Sequence, residues 1–186
     1  LSDWLPFEIA ARTFIHFQHN IVYAGNPFAL YARNPLIQIG PPAWLPLAGL
    51  QWLSPRQVNV GFVGVMVVLG LLAVGAIELV SRQVLPELTG RRRATTMLVA
   101  GAGVMIAWGY NVGRWHHLDD VMALTFTVFA CLLIQRRRAW WLVGLLLGTA
   151  VAAKPWAIIL TPVIMGLPRA DRSKVALATI VVAGAW

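Results

Sequence analysis

Between Val58 and Trp186 the charged side chains are swept into short clusters. They leave uncharged runs over Val58–Ile77, Ala94–Tyr110, Val121–Ile134 and Val175–Trp186. This feature constrains the chain more than any other. A long apolar segment cannot leave backbone N–H and C=O groups unpaired in apolar surroundings, so these runs must be helices. The first is 20 residues long, matching the roughly 20 residues needed to cross a bilayer core. Composition agrees: 59% of residues are hydrophobic and 12% charged, with mean hydropathy +0.70, whereas a soluble domain carries about a quarter charged residues. The expected class is an all-α polytopic membrane protein. Its spans fall near 58–78, 94–110, 120–135, 139–153, 156–167 and 175–186, and 1–186 forms part of one transmembrane domain.

The clusters between runs are basic. Segments 81–93, 136–138 and 168–174 hold Arg82, Arg91, Arg92, Arg93, Arg136, Arg137, Arg138, Arg169, Arg172 and Lys174, ten cations in all. The opposite side, 1–57 and 111–120, is longer yet has only Arg12, Arg33, Arg56 and Arg114. Loops rich in Lys and Arg stay in the cytoplasm, so 1–57 and 111–120 are expected on the extracytoplasmic face. A net charge of +8 distributed in this way is a topological signal and not a nucleic-acid surface. The single cysteine, Cys131, excludes an intrachain disulfide. Leu1-Ser2-Asp3-Trp4 has no basic region before an apolar one, so these first residues do not read as a recognisable cleavable signal peptide. With no initiator Met and a last run that stops at Trp186, the sequence reads as an internal piece of a longer protein.

Residues 1–57 are the least membrane-like part and read as a long extracytoplasmic loop carrying short interfacial helices. Trp4–Phe17 has helical amphipathic spacing. Gly25-Asn26-Pro27 and Asn34-Pro35 are turn signals. Ala43–Leu53, with Trp44 and Trp52, is too short to span and suits an interfacial or re-entrant segment.

Chemistry concentrates in Arg114-Trp115-His116-His117-Leu118-Asp119-Asp120, where five ionisable side chains sit between two apolar runs. Ionisable groups at a membrane are costly and mark functional sites. One aspartate is explained by capping a helix that starts near Val121; the remainder are not. Lys154-Pro155 interrupts Ala139–Leu167. Because Pro disfavours helix at the preceding residue, Lys154 lies at a break between two short helices of a hairpin, either lining a wet cavity or snorkelling to the interface. Gly144 and Gly148 form the G-x-x-x-G spacing of close helix packing. His116, His117, Asp119 and Asp120 are competent metal ligands, but the strong zinc spacings are absent, so a divalent metal is not favoured. The phosphate-loop, serine-elbow and dinucleotide motifs are absent too. Carboxylates with cations on one aqueous face suit group transfer from a lipid phosphate.

Three local patterns extend this reading. They are Tyr31-Ala32-Arg33-Asn34-Pro35 with Gln38-Ile39-Gly40-Pro41-Pro42, His117-Leu118-Asp119-Asp120 opening a span, and Gly144 to Pro155 running into Ala-Ala-Lys-Pro-Trp. In their order the chain resembles the C-type (GT-C) integral-membrane glycosyltransferases, especially bacterial polyprenyl-phosphate-mannose-dependent mannosyltransferases. The resemblance implies a GT-C-like helical bundle and a polyprenyl-phosphate sugar donor. It also implies a glycolipid or cell-envelope glycan acceptor, and inverting transfer on the extracytoplasmic face without a nucleotide sugar or cofactor. The family's base, an acid early in the first extracytoplasmic loop, falls on Asp3, with Glu8 as fallback. Lys154, Arg114, His116, His117, Asp119, Asp120 and Tyr31 would contact substrate or its phosphate. The alternative is a transporter or flippase of lipid-linked sugars, with Lys154 and the aspartates forming a headgroup pathway.

Overall fold

The computed structural model describes residues 58–110, 117–137 and 139–186, together with Pro42, Ala43, Pro46 and Gly49. The amphipathic segment 4–17, the two early turns and nearly all of the proposed re-entrant segment lie outside the described residues. The described chain is all-helical: α1 (Val58–Val84), α2 (Gly90–Tyr110), α3 (Leu118–Gln135), α4 (Trp140–Ala153), a 3-10 helix (Pro155–Gly166) and α5 (Arg169–Ala185). By length and composition, two of these can cross a membrane, Val63–Val84 of α1 and α3.

The helices overrun the apolar runs at their charged ends. Glu78 and Arg82 lie within α1, Arg91, Arg92 and Arg93 open α2, and Asp171, Arg172 and Lys174 sit on the first turns of α5. Segments read as loops from charge alone are therefore helix termini. Arg93 shows why. Its guanidinium donates to the Leu88 carbonyl at 2.8 Å, the Leu85 carbonyl at 3.1 Å and Ser81 Oγ at 3.2 Å, and lies 3.6 Å from Glu78 Oε1. It satisfies carbonyls left open where α1 ends and so fastens the turn into α2.

Helix α3 lies between α1 and α4. Helix α4 runs antiparallel to it: Ile134 and Val143 share one apolar cluster, while Ala123 and Ala150 share another nearer the start of α3. The 3-10 helix then returns, placing Ala157 in the second cluster and Leu167 in the first. Helices α4 and α5 run parallel and pack through the glycine pair. A Cβ on Gly144 would collide with Ala178 Cβ, and one on Gly148 would lie 2.6 Å from Val182 Cβ and 2.8 Å from the Thr179 carbonyl. The absence of side chains there is what lets the two backbones approach.

The buried hydroxyls of Thr125, Thr127 and Thr179 each donate to the carbonyl four residues earlier, at 2.7–2.8 Å. That bond needs no outside partner in an apolar interior. Trp108 of α2 donates Nε1–H to the Met66 carbonyl at 2.9 Å, its ring filling the place where Gly70 has no side chain.

Residues 155–166 are wound as a 3-10 helix and not as a short α-helix. Pro155 starts the element and Pro162 lies inside it, and each removes a backbone N–H that an α-helix would use. At about 2.0 Å per residue, twelve residues reach about 24 Å, where an α-helix would reach about 18 Å. The fourteen residues of α4 reach about 21 Å. The tighter winding thus lengthens the returning arm of a hairpin that is too short when counted with α-helical rise alone.

Candidate functional site

The break between α4 and the 3-10 helix is where the ionisable groups converge. Lys154 is extended, with φ −148° and ψ 115°, because Pro155 bars it from helical geometry. This aims its side chain across to the first turn of α3. Lys154 Nζ donates to Asp119 Oδ2 at 2.7 Å and lies 3.8 Å from Asp120 Oδ1. Trp156, two residues on, donates Nε1–H to Asp120 Oδ1 at 2.7 Å. His117 Nδ1 is 3.5 Å from Asp120 Oδ2 and 3.8 Å from Asp119 Oδ1.

Burial grades these groups. The Asp119 side chain is 0% accessible, Lys154 16%, Asp120 27% and His117 36%. A carboxylate with no contact to solvent is held only with a cation and hydrogen bonds around it. Asp119 has both, since its Oδ1 also accepts the Asp120 backbone N–H at 3.0 Å. Lys154 has three N–H donors, of which Asp119 takes one. Asp120 and His117 form the more open side of the cluster.

The capping expectation is corrected. Helix α3 starts at Leu118 and not near Val121, and His117, not an aspartate, occupies the N-cap position, with no cap hydrogen bond from its side chain. Asp119 and Asp120 lie inside the first turn, near the positive end of the helix dipole. Asp119 Oδ1 accepts the Asp120 backbone N–H, while Lys154 takes Asp119 Oδ2 and Trp156 takes Asp120 Oδ1.

Of the residues singled out from sequence, Lys154, His117, Asp119 and Asp120 come together. Asp3, Glu8, Tyr31, Arg114 and His116 lie outside the described residues. One ligand atom from each of His117, Asp119 and Asp120 falls within 4.8 Å of the others, a spacing that can hold a metal ion. The Lys154 ammonium already sits on Asp119, so a divalent cation there would share that carboxylate with a fixed positive charge. Trp156 was not among the sequence candidates. Its only signal was its place directly after Lys154-Pro155, since the partner is 36 residues away. No protein-family model matches this chain, and neither a curated protein nor a solved structure matches it.

Proposed function

We propose that this chain belongs to a multi-pass membrane glycosyltransferase of the GT-C kind, moving mannose from polyprenyl phosphate to a glycolipid or cell-envelope glycan on the extracytoplasmic face. The observation that carries this reading is the Lys154–Asp119 pair, placed with Asp120, Trp156 and His117 where an apolar hairpin breaks. The described helices also expose large apolar side chains, including Val68, Leu71, Leu98, Ile106, Ile159 and Ile180, which suits a lipid surround.

In the transfer, an acceptor hydroxyl attacks the anomeric carbon, a base takes its proton, and the bond to the lipid phosphate breaks with the electron pair leaving on phosphate oxygen. Asp119 holds the Lys154 ammonium in one place, and its remaining N–H donors serve the phosphate as charge develops. Asp119 and Asp120 are already engaged by Lys154, Trp156 and backbone, so they act in positioning. The base is Asp3, with Glu8 as the second acid of that loop, a role drawn from the family resemblance.

The test is a transfer assay on the detergent-purified full-length protein, with donor binding measured separately. Asp3→Asn should abolish turnover and keep donor binding. Replacing the pair together, Lys154→Met with Asp119→Leu, should keep the protein folded and weaken donor binding about tenfold, the size of one charge-assisted hydrogen bond. Unchanged transfer in both variants would refute the proposal. Passage of the intact lipid-linked sugar between leaflets without transfer would replace it with a transporter.

A further inference from the structure

At the opposite end of the bundle from Lys154, a cavity of about 550 Å³ opens where α3 ends, the 3-10 helix ends and α5 begins. Its lining includes Cys131, Gln135, Arg137, Gly166, Pro168 and Arg172. The transferase reading makes no use of this cavity.

Four features converge on it. The side-chain Oε1 of Gln135 is buried and has no hydrogen-bond partner among the described residues, and a buried polar atom normally has one. Arg137 holds φ +50°, just past the α3 C-cap Arg136. Glycine is the usual residue at that position because a side chain is disfavoured there. A cation is thus kept on the cavity wall against the backbone preference. Arg172 donates to the Leu167 carbonyl at 2.9 Å and the Met165 carbonyl at 2.7 Å. These contacts fix its guanidinium and leave further N–H groups of its five. Finally, Pro168, the residue before α5, also lines the cavity, which sets the positive end of that helix dipole beside it. The nearby acid on that turn, Asp171, lies 3.5 Å from Lys174 Nζ.

We propose that this cavity binds a phosphate that also carries a hydroxyl, either as a phospholipid headgroup or as a free hydrogenphosphate ion. Arg137 and Arg172 hold the phosphate oxygens as charge-assisted donors. Gln135 Oε1 accepts from the hydroxyl, which gives the orphaned atom its partner. Basic pockets between membrane helices take anionic headgroups in this way on the cytoplasmic side, where charge places this end of the bundle. The inference does not rest on the transferase reading.

The site carries its own reporter, because Cys131 lines it. Purified, delipidated full-length protein is treated with maleimide, and modification of the Cys131 peptide is read by mass spectrometry. Inorganic phosphate, short-chain phosphatidylglycerol and short-chain phosphatidylcholine are titrated in separate arms. Protection by phosphate as well as phosphatidylglycerol assigns a soluble anion, and protection by phosphatidylglycerol alone assigns a lipid; either supports the site. In Arg137→Gly the concentration for half protection should rise about tenfold, the weight of one charged hydrogen bond. That variant relieves the positive φ, so loss of fold does not confound it. Arg172→Gln should act in the same direction. Protection by neither anion, equal protection by phosphatidylcholine, or protection unchanged in Arg137→Gly would overturn the proposal.

Discussion

Removing Lys154 alone should cost far more than removing it together with its partner. Lys154→Met leaves Asp119, whose side chain is 0% accessible, with no other ion pair among the described residues to Oδ2, the atom that sits 2.7 Å from Nζ. The remaining hydrogen bond, from the Asp120 backbone N–H at 3.0 Å, does not offset the loss of a full charge. Breaking one side of a buried pair typically costs about 3–5 kcal/mol, whereas replacing both members by apolar residues of similar volume is near neutral. Asp119→Leu alone strands a lysine that is 16% accessible and whose long stem can turn the ammonium toward water. That variant should therefore lose less than Lys154→Met. The assay is a double-mutant cycle in mixed micelles, with equilibrium unfolding of wild type, Lys154→Met, Asp119→Leu and the pair. The double variant should lie close to wild type and so be more stable than Lys154→Met, which sets the coupling at about 3 kcal/mol or more. Strict additivity of the two single losses would refute the pairing, and so would a Lys154→Met protein as stable as wild type.

Two further outcomes follow from packing and charge. Gly148→Ala should destabilise by about 1–3 kcal/mol, because its Cβ would meet the Thr179 carbonyl at 2.8 Å and backbone cannot step aside. Gly75→Ala in α1, with nothing within 4 Å, should gain up to about 0.5–1 kcal/mol, and equal effects in the two unfolding curves would contradict the close α4–α5 contact. For orientation, a cysteine placed at Asn26 should react with an impermeant thiol reagent outside intact cells, while one at Thr89, between α1 and α2, should not; equal labelling would refute the sidedness drawn from the basic clusters.

Much of the fold was legible because membrane-like helices are locally encoded. Uncharged runs located α1, α2 and α3, and the break at Lys154 followed from Pro155 acting on its immediate neighbour. Helix ends were less legible. Charge suggested loops at 81–93 and 168–174, but Arg93 and Arg172 turn back onto open carbonyls and carry helix into those segments. The winding of 155–166 was also hidden, since two prolines forbid α-helical bonds without stating which alternative the neighbouring helices will accept.

The sequence by itself determined that the described segments are helical, roughly where the middle of each helix falls, and which residue types are available for chemistry. These depend on hydropathy and on proline, whose effects act over a few residues. Only the tertiary structure decided which groups meet. Lys154 pairs with an aspartate 35 residues earlier, Trp156 bonds another 36 residues away, and the glycine pair of α4 faces α5. A buried charge chooses its partner by the distance and burial that remain once helices pack, and spacing along the chain does not carry that information.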